Sequence, residues 1–341
     1  MQTSLFFFAG NGESAARDKY ALLMSAARFA DTHAFSAIWT PERHFQQFGG
    51  LYPNPALTSA AIAAITNRVR IRAGSVVLPL HNCLRVAEEW SMLDNLSAGR
   101  VDVAFASGWH RDDFVLYPER FGDRKSLMWE QIATLQRLWS GEALMLPNGT
   151  GALVPTRILP RPLQSRLPTW ITAQSDETFA QAGTLGYNVL TNMNYKSAQD
   201  LKDRIRAYRH TRARLGFDAG HVTVMTHAFV ADTDIEARHI ASIALRRYLD
   251  TNVNLQNTAS AGAIDTNLRP GDREYLLSRA VEHIMDSVGL IGSVATCLQR
   301  ARYFRSLGAD EVACLIDFGV DQDQVLEGLG RLDEVASACL D

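Results

Sequence analysis

Three ionisable residues, Glu42, Arg43 and His44, stand side by side near the start of the chain in an aromatic setting. They directly follow a short apolar run, residues 35–39, which is typical of a buried strand. A histidine exchanges protons near neutral pH, and a guanidinium stabilises a negative charge. In αβ-repeat proteins, active sites are built from the loops that leave the carboxyl ends of strands. The residue types and their position therefore predict a functional site.

Two other segments have residue types that suit a ligand, and each has a structural alternative. Gly74 interrupts a β-branched run, which indicates either a bend of the strand or a close approach of backbone to a ligand. Ser175 and Thr178 open a helix directly after a strand, where free N–H groups suit a phosphate. A plain N-cap followed by the acidic residues Asp176 and Glu177 explains the same pattern at least as well.

Residues 107–113 follow another apolar run and contain Trp109 and His110. This segment is compatible with a pocket lining and equally with a surface loop anchored by one tryptophan. His44, His81 and His110 all follow strand-like runs, so a barrel could bring them together. No HxH or ExxH spacing accompanies them, and the sequence does not predict a metal site.

Residues 10–15 match a relaxed dinucleotide-binding pattern, GxGxxA. The next strand ends in Trp-Thr-Pro and lacks the acidic residue that would hold a ribose hydroxyl. An ordinary strand-to-helix turn capped by Ser14 explains the run, so a nicotinamide site is not predicted.

The composition is that of a globular protein with a large core. Of 341 residues, 47% are apolar and 21% are charged. The net charge of -3 does not predict binding to nucleic acid or to an anionic membrane, which a basic surface would favour. The four cysteines are scattered without metal-ligand spacing, which suits a reducing compartment, and no apolar run approaches membrane-spanning length. We therefore expect a soluble cytoplasmic protein.

Strand and helix patterns alternate along the whole chain. Strands are predicted at residues 5–9, 35–39, 69–78, 100–107, 169–173, 188–191, 222–231 and 311–317. Helices are predicted at residues 14–33, 55–66, 84–96, 127–139, 177–184, 198–215, 235–249, 274–288, 294–307 and 322–339. Eight strand–helix units favour an α/β fold of the (β/α)₈ TIM barrel type, as one domain over residues 1–341. Two insertions are expected, at about 141–168 (irregular or a small hairpin) and about 251–273 (a long polar loop).

Five motifs in this order give the chain a family resemblance. They are WTPERHF at 39–45, YPNP at 52–55, GSVVLP at 74–79, LDNLSAGR at 93–100 and ASGW at 106–109, and TAQSDET at 172–178 and NVLT at 188–191 also fit. The series closely resembles the bacterial-luciferase-like flavin-dependent monooxygenases. Within that family it looks most like the group associated with nonribosomal peptide and polyketide biosynthesis. The resemblance covers nearly the whole chain.

The resemblance implies a (β/α)₈ barrel that uses reduced FMN, supplied by a separate flavin reductase, with O₂ as co-substrate. It implies that a C4a-(hydro)peroxyflavin forms. It places a non-proline cis peptide at Gly74–Ser75, in a bulge that supports the isoalloxazine ring. Gln174, Ser175 and Thr178 match the segment that holds the FMN phosphate. The insertion at 251–273 corresponds to the mobile active-site loop of the family.

The chain departs from luciferase at three positions. Arg43 stands where luciferase has its catalytic histidine, and His44 matches the second histidine of that motif. Ala106 replaces the reactive cysteine, and Ser107 replaces an arginine that contacts phosphate, so Ser107 is a cofactor-binding candidate. Light emission is therefore not expected.

These departures make His44 the expected catalytic residue, with Glu42 orienting it or contacting the flavin. Arg43 cannot act as a base near neutral pH, but it can stabilise an anionic peroxide or simply face outward. Trp109 and His110 are expected to line the substrate pocket.

The resemblance thus implies a monooxygenase that acts on a natural-product intermediate, including one tethered to an acyl or peptidyl carrier protein. Hydroxylation, N-oxygenation and Baeyer–Villiger insertion remain open. Alternatives are an F420-dependent oxidoreductase on the same barrel and a catalytically idle scaffold subunit. A homodimer is expected by analogy, through the alanine-rich helix at 56–65, which could equally pack on the barrel.

Overall fold

The computed structural model describes residues 1–8, 18–46, 49–193, 197–259 and 270–340. Its centre is a closed barrel of eight parallel strands, and neighbouring strands pair from the first to the last and back. The barrel strands are β1 (Gln2–Phe6), β2 (Ala37–Thr40), β3 (Arg70–Val77), β4 (Val101–Ala106), β7 (Thr169–Thr172), β8 (Asn188–Asn192), β9 (Val222–Val230) and β11 (Glu311–Leu315). The predicted (β/α)₈ barrel is confirmed.

Ten α-helices in the described part of the chain surround the barrel and bury its outer face. They are α1 (Ala21–Thr32), α2 (Pro55–Ala63), α3 (Cys83–Leu96), α4 (Arg124–Ser140), α5 (Asp176–Thr184), α6 (Ala198–Arg214), α7 (Asp234–Ala259), α8 (Pro270–His283), α9 (Val294–Leu307) and α10 (Gln322–Leu340). One large apolar core joins the strands to the helices. None of these helices is both long and apolar enough to cross a membrane.

Two small elements add to the barrel. An antiparallel hairpin, β5 (Leu144–Pro147) with β6 (Leu153–Thr156), lies between α4 and β7, where the sequence indicates an irregular segment or a hairpin. A short strand, β10 (Leu290–Gly292), pairs with the carboxyl end of β9 and was not predicted, because three residues carry no periodic signal.

Several predicted boundaries are wrong, two of them by a wide margin. The first strand runs from Gln2 to Phe6 and not from residue 5 to 9, because Thr3 and Ser4 are buried and Ser4 is hydrogen-bonded to Glu311 inside the barrel. Helix α7 does not end at Leu249 but continues to Ala259, since no proline or glycine interrupts that polar stretch. Part of the insertion expected at 251–273 is therefore helical, and residues 260–269 lie outside the described residues, as do residues 10–15.

A buried arginine neutralises two carboxylates near the amino ends of the strands. The Nε of Arg72 on β3 donates to Asp102 Oδ2 on β4 at 2.6 Å, and Nη1 donates to Glu311 Oε2 on β11 at 2.6 Å. The guanidinium lies between the rings of Trp39 and Trp170, with Cζ 4.8 and 4.7 Å from the ring centroids. The pairing therefore links strands from both sides of the barrel interior.

Glu311 accepts further hydrogen bonds from Ser4, Trp39 and His221. Burial alone would raise the pKa of Glu311, but the Arg72 charge and the bonds from His221 and Ser4 lower it far below its usual value. Glu311 is therefore ionised at neutral pH.

We expect Arg72→Met to lower the free energy of unfolding by about 3–5 kcal/mol, because it leaves the buried Glu311 without its guanidinium partner and Asp102 with Arg70 alone. Denaturant unfolding at neutral pH measures this. Arg279→Met is the control, since Arg279 pairs with Glu282 on the exposed face of α8 and surface pairs contribute little. An Arg72→Met protein as stable as the control would contradict the proposed importance of this network.

Candidate active site

Glu42 is the centre of a hydrogen-bonded cluster at the carboxyl end of β2. Its Oε1 accepts hydrogen bonds from His44 Nε2 at 2.8 Å and from His81 Nε2 at 2.6 Å. Its Oε2 accepts a hydrogen bond from the backbone N–H of Val77 at 2.7 Å. The carboxylate is buried and holds both imidazoles at the end of the barrel where the β2 and β3 loops meet. His81 was not singled out with Glu42 in the sequence, because the two are 39 positions apart.

The cluster shifts the titration of its members. Burial on its own raises the pKa of Glu42, but the hydrogen bonds from His44 and His81 lower it below its usual value. Burial on its own lowers the pKa of His81, but the hydrogen bond and charge of Glu42 raise it above its usual value. A carboxylate paired with a protonated His81 is therefore the favoured state at mildly acidic pH.

Arg43 points to the other side of the β2 end from Glu42 and His44 and does not face outward. Only 4% of its surface is exposed. Its Cζ lies 5.2 Å from the ring centroid of Phe8 and 4.9 Å from that of Trp109. The alternative that this arginine is a solvated surface residue is therefore wrong.

The end of β3 is bulged at Gly74 and Ser75. The peptide bond between them is cis, as the family resemblance predicts, and the pairing with β4 shifts register here. A Cβ on Gly74 would lie 2.7 Å from the Phe6 ring and 3.1 Å from the Trp39 ring, so glycine is required by crowding. The Ser75 hydroxyl is hydrogen-bonded to that of Thr172 on β7.

The segment after β4 has one exposed aromatic and a buried polar pair. Ser107 is half-buried, and Trp109 is 44% exposed. His110 and Asp113 are buried, with Nδ1 and Oδ1 3.7 Å apart. Burial raises the pKa of Asp113, although the charges of Arg43, His110 and His44 oppose the shift. The contact of Arg43 with the Trp109 ring shows that the β2 and β4 loops lie side by side.

The start of α5 presents hydroxyls at the surface. Ser175 caps the helix by accepting a hydrogen bond from the Thr178 N–H at 3.3 Å, and the two hydroxyls lie 2.9 Å apart. Asp176, which would repel a phosphate, is paired with Arg204 of α6. Arg204 also donates to the Gln174 carbonyl at 3.3 Å. The sequence does not reveal this arginine, because it comes from the next helix.

A buried histidine of β9 was also missed. Both ring nitrogens of His227 lack a hydrogen-bond partner among the described residues, and burial lowers its pKa to about 3. Its ring contacts those of Tyr248 and Phe318 edge-on. His227 is therefore neutral, and only its position within β9 distinguishes it from an ordinary core residue in the sequence.

The histidines do not converge on one point. His44 and His81 meet at Glu42, whereas His110 pairs with Asp113. Within the described residues, no group of three or more histidine, cysteine or acidic side chains has the geometry to hold a metal ion.

Comparison with known proteins gives a consistent family. The family model of luciferase-like monooxygenases matches residues 1–311. The oxygenase component of a flavin-dependent trigonelline monooxygenase from Acinetobacter baylyi is 24% identical over 328 residues, which is 92% of this chain and 88% of that protein.

Solved structures share the fold at low sequence identity. The monooxygenase RslO1 from Streptomyces bottropensis superposes with a TM-score of 0.82 at 23% identity, covering 98% of both chains. The oxygenating constituent of 3,6-diketocamphane monooxygenase from Pseudomonas putida, a type II Baeyer–Villiger enzyme in complex with FMN, has a TM-score of 0.77 at 18% identity, covering 99% of this chain and 98% of that one. An F420-dependent secondary alcohol dehydrogenase has a TM-score of 0.72 at 16% identity over the full length of both chains.

The Glu42–His81 pair predicts a specific pH dependence of stability. Because the pKa of His81 is raised on folding, its contribution is complete below the ordinary histidine value of about 6.5 and is lost as pH rises through the folded-state pKa. The lowered pKa of Glu42 gives the opposite sign, with its contribution lost below about pH 4.3. We expect the difference in free energy of unfolding between wild type and His81→Gln to be largest between these values and to shrink above pH 6.5.

Denaturant unfolding from pH 5 to 9 measures this difference. His210→Gln, on the exposed face of α6, is the control and should leave the pH profile unchanged. A constant difference across the range would show that His81 does not pair with Glu42 as a cation.

Proposed function

The chain belongs to the luciferase-like monooxygenase family of oxidoreductases, and from this premise we propose that it uses reduced FMN and O₂ to oxygenate a natural-product biosynthetic intermediate. The observation that carries the proposal is the Glu42–His44 pair beside the bulge at Gly74–Ser75. This pair would supply a proton-exchanging group near the backbone of the bulge at the carboxyl end of the barrel.

The residues at the barrel mouth suit FMN. The rings of Phe6 and Trp39 fill the space on the side-chain side of Gly74, so it is the backbone of the bulge that would support a flat ring system. Ser175 and Thr178 offer hydroxyls at the amino end of α5 for a phosphate, and the Arg204 pairing offsets the charge of Asp176. Reduced flavin, when bound, supplies the activation of O₂ that no side chain can provide.

The protein's own residues would control protons and exclude water. Because Nε2 of His44 is bonded to Glu42, its Nδ1 is the nitrogen left to exchange a proton with the substrate. Glu42 would act as a positioning residue, fixed by the Val77 N–H. Trp109 and His110 would line the substrate pocket, and Ser107 and Gln174 would contact the cofactor.

The partners follow from the chemistry. The trigonelline enzyme is named as an oxygenase component, which supports a separate flavin reductase here too. We propose an acyl, aminoacyl or peptidyl substrate, free or bound to a carrier protein. A cytoplasmic location is part of this proposal, since four free cysteines suit a reducing compartment.

An F420-dependent oxidoreductase is the second candidate, because an F420-dependent alcohol dehydrogenase shares this fold along its whole length. A deazaflavin would accept hydride and would not consume O₂. Mass spectrometry of the cofactor that copurifies with the protein separates the two candidates. An idle scaffold subunit would bind neither reduced FMN nor a deazaflavin.

We also propose a homodimer that forms through α2 and α3. Leu57 on α2 is 70% exposed, and Met92 and Leu96 on the adjacent α3 are also largely exposed. Several exposed apolar side chains on neighbouring helices are typical of a protein interface.

The central test replaces the proposed proton-exchanging group. We expect His44→Gln to reduce coupled O₂ consumption by roughly 10²–10⁴-fold, the usual contribution of general acid–base catalysis, while FMN binding is retained. Anaerobically reduced FMN is mixed with protein and oxygenated buffer, and O₂ uptake is compared with that of free reduced FMN. His210→Gln is the control. Uptake at the free-flavin rate in wild type would refute the monooxygenase, and a fully active His44→Gln would refute the role of His44.

The dimer prediction is tested by light scattering. Leu57→Asp should shift the protein from dimer to monomer, because it places a charge in the apolar patch. Ile235→Asp, at an equally exposed position on α7, should leave the mass unchanged. A monomeric wild type would contradict the interface.

A further inference from the structure

Arg43 is a buried cation with unused hydrogen-bond donors. Its Nε and Nη1 have no hydrogen-bond partner among the described residues, so one N–H of Nε and both of Nη1 are unpaired. The guanidinium is charged at all accessible pH values, although burial lowers its pKa. Holding such a group out of water without a partner is costly, and polar groups of this kind cluster at functional sites.

Arg43 is surrounded by aromatic rings and by polar groups to which its Nε and Nη1 make no hydrogen bond. Phe8 and Trp109 lie against it at cation–π distance. The negative charge of Asp113 acts on Arg43, but the two make no ion pair, and Asp113 Oδ1 has no hydrogen-bond partner among the described residues, His110 Nδ1 being 3.7 Å away. Both nitrogens of the neighbouring His110 are also unpartnered within the described chain. Three buried polar groups therefore share one unsatisfied region at the mouth of the barrel.

The unpaired N–H groups of a buried guanidinium favour an acceptor that carries a negative charge. A carboxylate oxygen accepts from such donors by charge-assisted hydrogen bonds, which are stronger than those to neutral acceptors. Trp109 is half-exposed, so a ligand can reach the region along that ring.

We propose that Arg43 binds a free carboxylate of the substrate, so that this protein acts on an organic acid. The inference rests on the proposed monooxygenase function and narrows its substrate class. In this proposal Arg43 determines substrate specificity, whereas His44 exchanges the proton. A substrate whose only carboxyl is esterified to a carrier protein would lack this contact.

The test measures binding without flavin, so that it does not depend on turnover. Two acid–amide pairs of equal shape are used, octanoate with octanamide and phenylacetate with phenylacetamide, in ligand-observed NMR titrations. Wild type should bind at least one acid about 10-fold or more tightly than its amide, as expected for charge-assisted hydrogen bonds. Arg43→Gln should abolish this preference, and Arg28→Gln, which removes the same charge from the exposed face of α1, should keep it.

The proposal is overturned if wild type binds neither acid, if it shows no preference for an acid, or if Arg43→Gln retains the preference.

Thermal unfolding adds a separate readout. Arg43→Met should melt no lower than wild type, since a residue kept for ligand binding is not needed for the fold. A clearly lower melting temperature of Arg43→Met would show that Arg43 has a structural role instead. Acid binding in a protein that shows no flavin-coupled O₂ uptake would uphold this site and refute the monooxygenase.

Discussion

The pairing of Arg72 with Asp102 and Glu311 is the interaction on which the rest of the molecule depends. It puts a cation between two anions inside the barrel, where an unpaired charge would be strongly destabilising. The rings of Trp39 and Trp170, nearly perpendicular to each other, both pack against the guanidinium. Strands that are far apart in sequence are thereby linked near their amino ends, which leaves the opposite ends of the same strands available for chemistry.

At that opposite end, polar groups are arranged in two different ways. The Glu42 cluster is saturated, since both carboxylate oxygens accept hydrogen bonds from His44, His81 and Val77. The Arg43 region, on the other side of the same strand end, is unsaturated. A saturated cluster fixes the orientation of a catalytic group, and an unsaturated one leaves donors for a ligand. Glu42 therefore suits the orientation of His44, and the adjacent Arg43 suits the recognition of a ligand.

Much of this architecture can be predicted from the sequence, because buried parallel strands and amphipathic helices have distinct periodicities. The cis bond at Gly74–Ser75 is predicted only through the family resemblance, since nothing in a Gly-Ser pair itself indicates it. Contacts between distant segments, such as His81 with Glu42 or Arg204 with Asp176, depend on which strands and helices become neighbours. The burial of Arg43 was equally inaccessible, because three adjacent ionisable residues after a strand do not show which of them turns inward. The buried start of β1 was missed for a related reason. Thr3 and Ser4 are polar, and their burial becomes clear only when the hydrogen bond of Ser4 to Glu311 is known.

Trp39 contacts both the buried Arg72 network near the amino ends of the strands and the bulge at Gly74 near the barrel mouth. Its Nε1 donates hydrogen bonds to Ser4 and Glu311 inside the barrel. The edge of the same ring limits the space at Gly74, beside the proposed flavin site. The loops at the barrel mouth can diverge under selection without disturbing the core, but a substitution at Trp39 alters the core and the mouth together. Adaptation to new substrates is therefore expected to proceed by changes in the loops around an unchanged tryptophan.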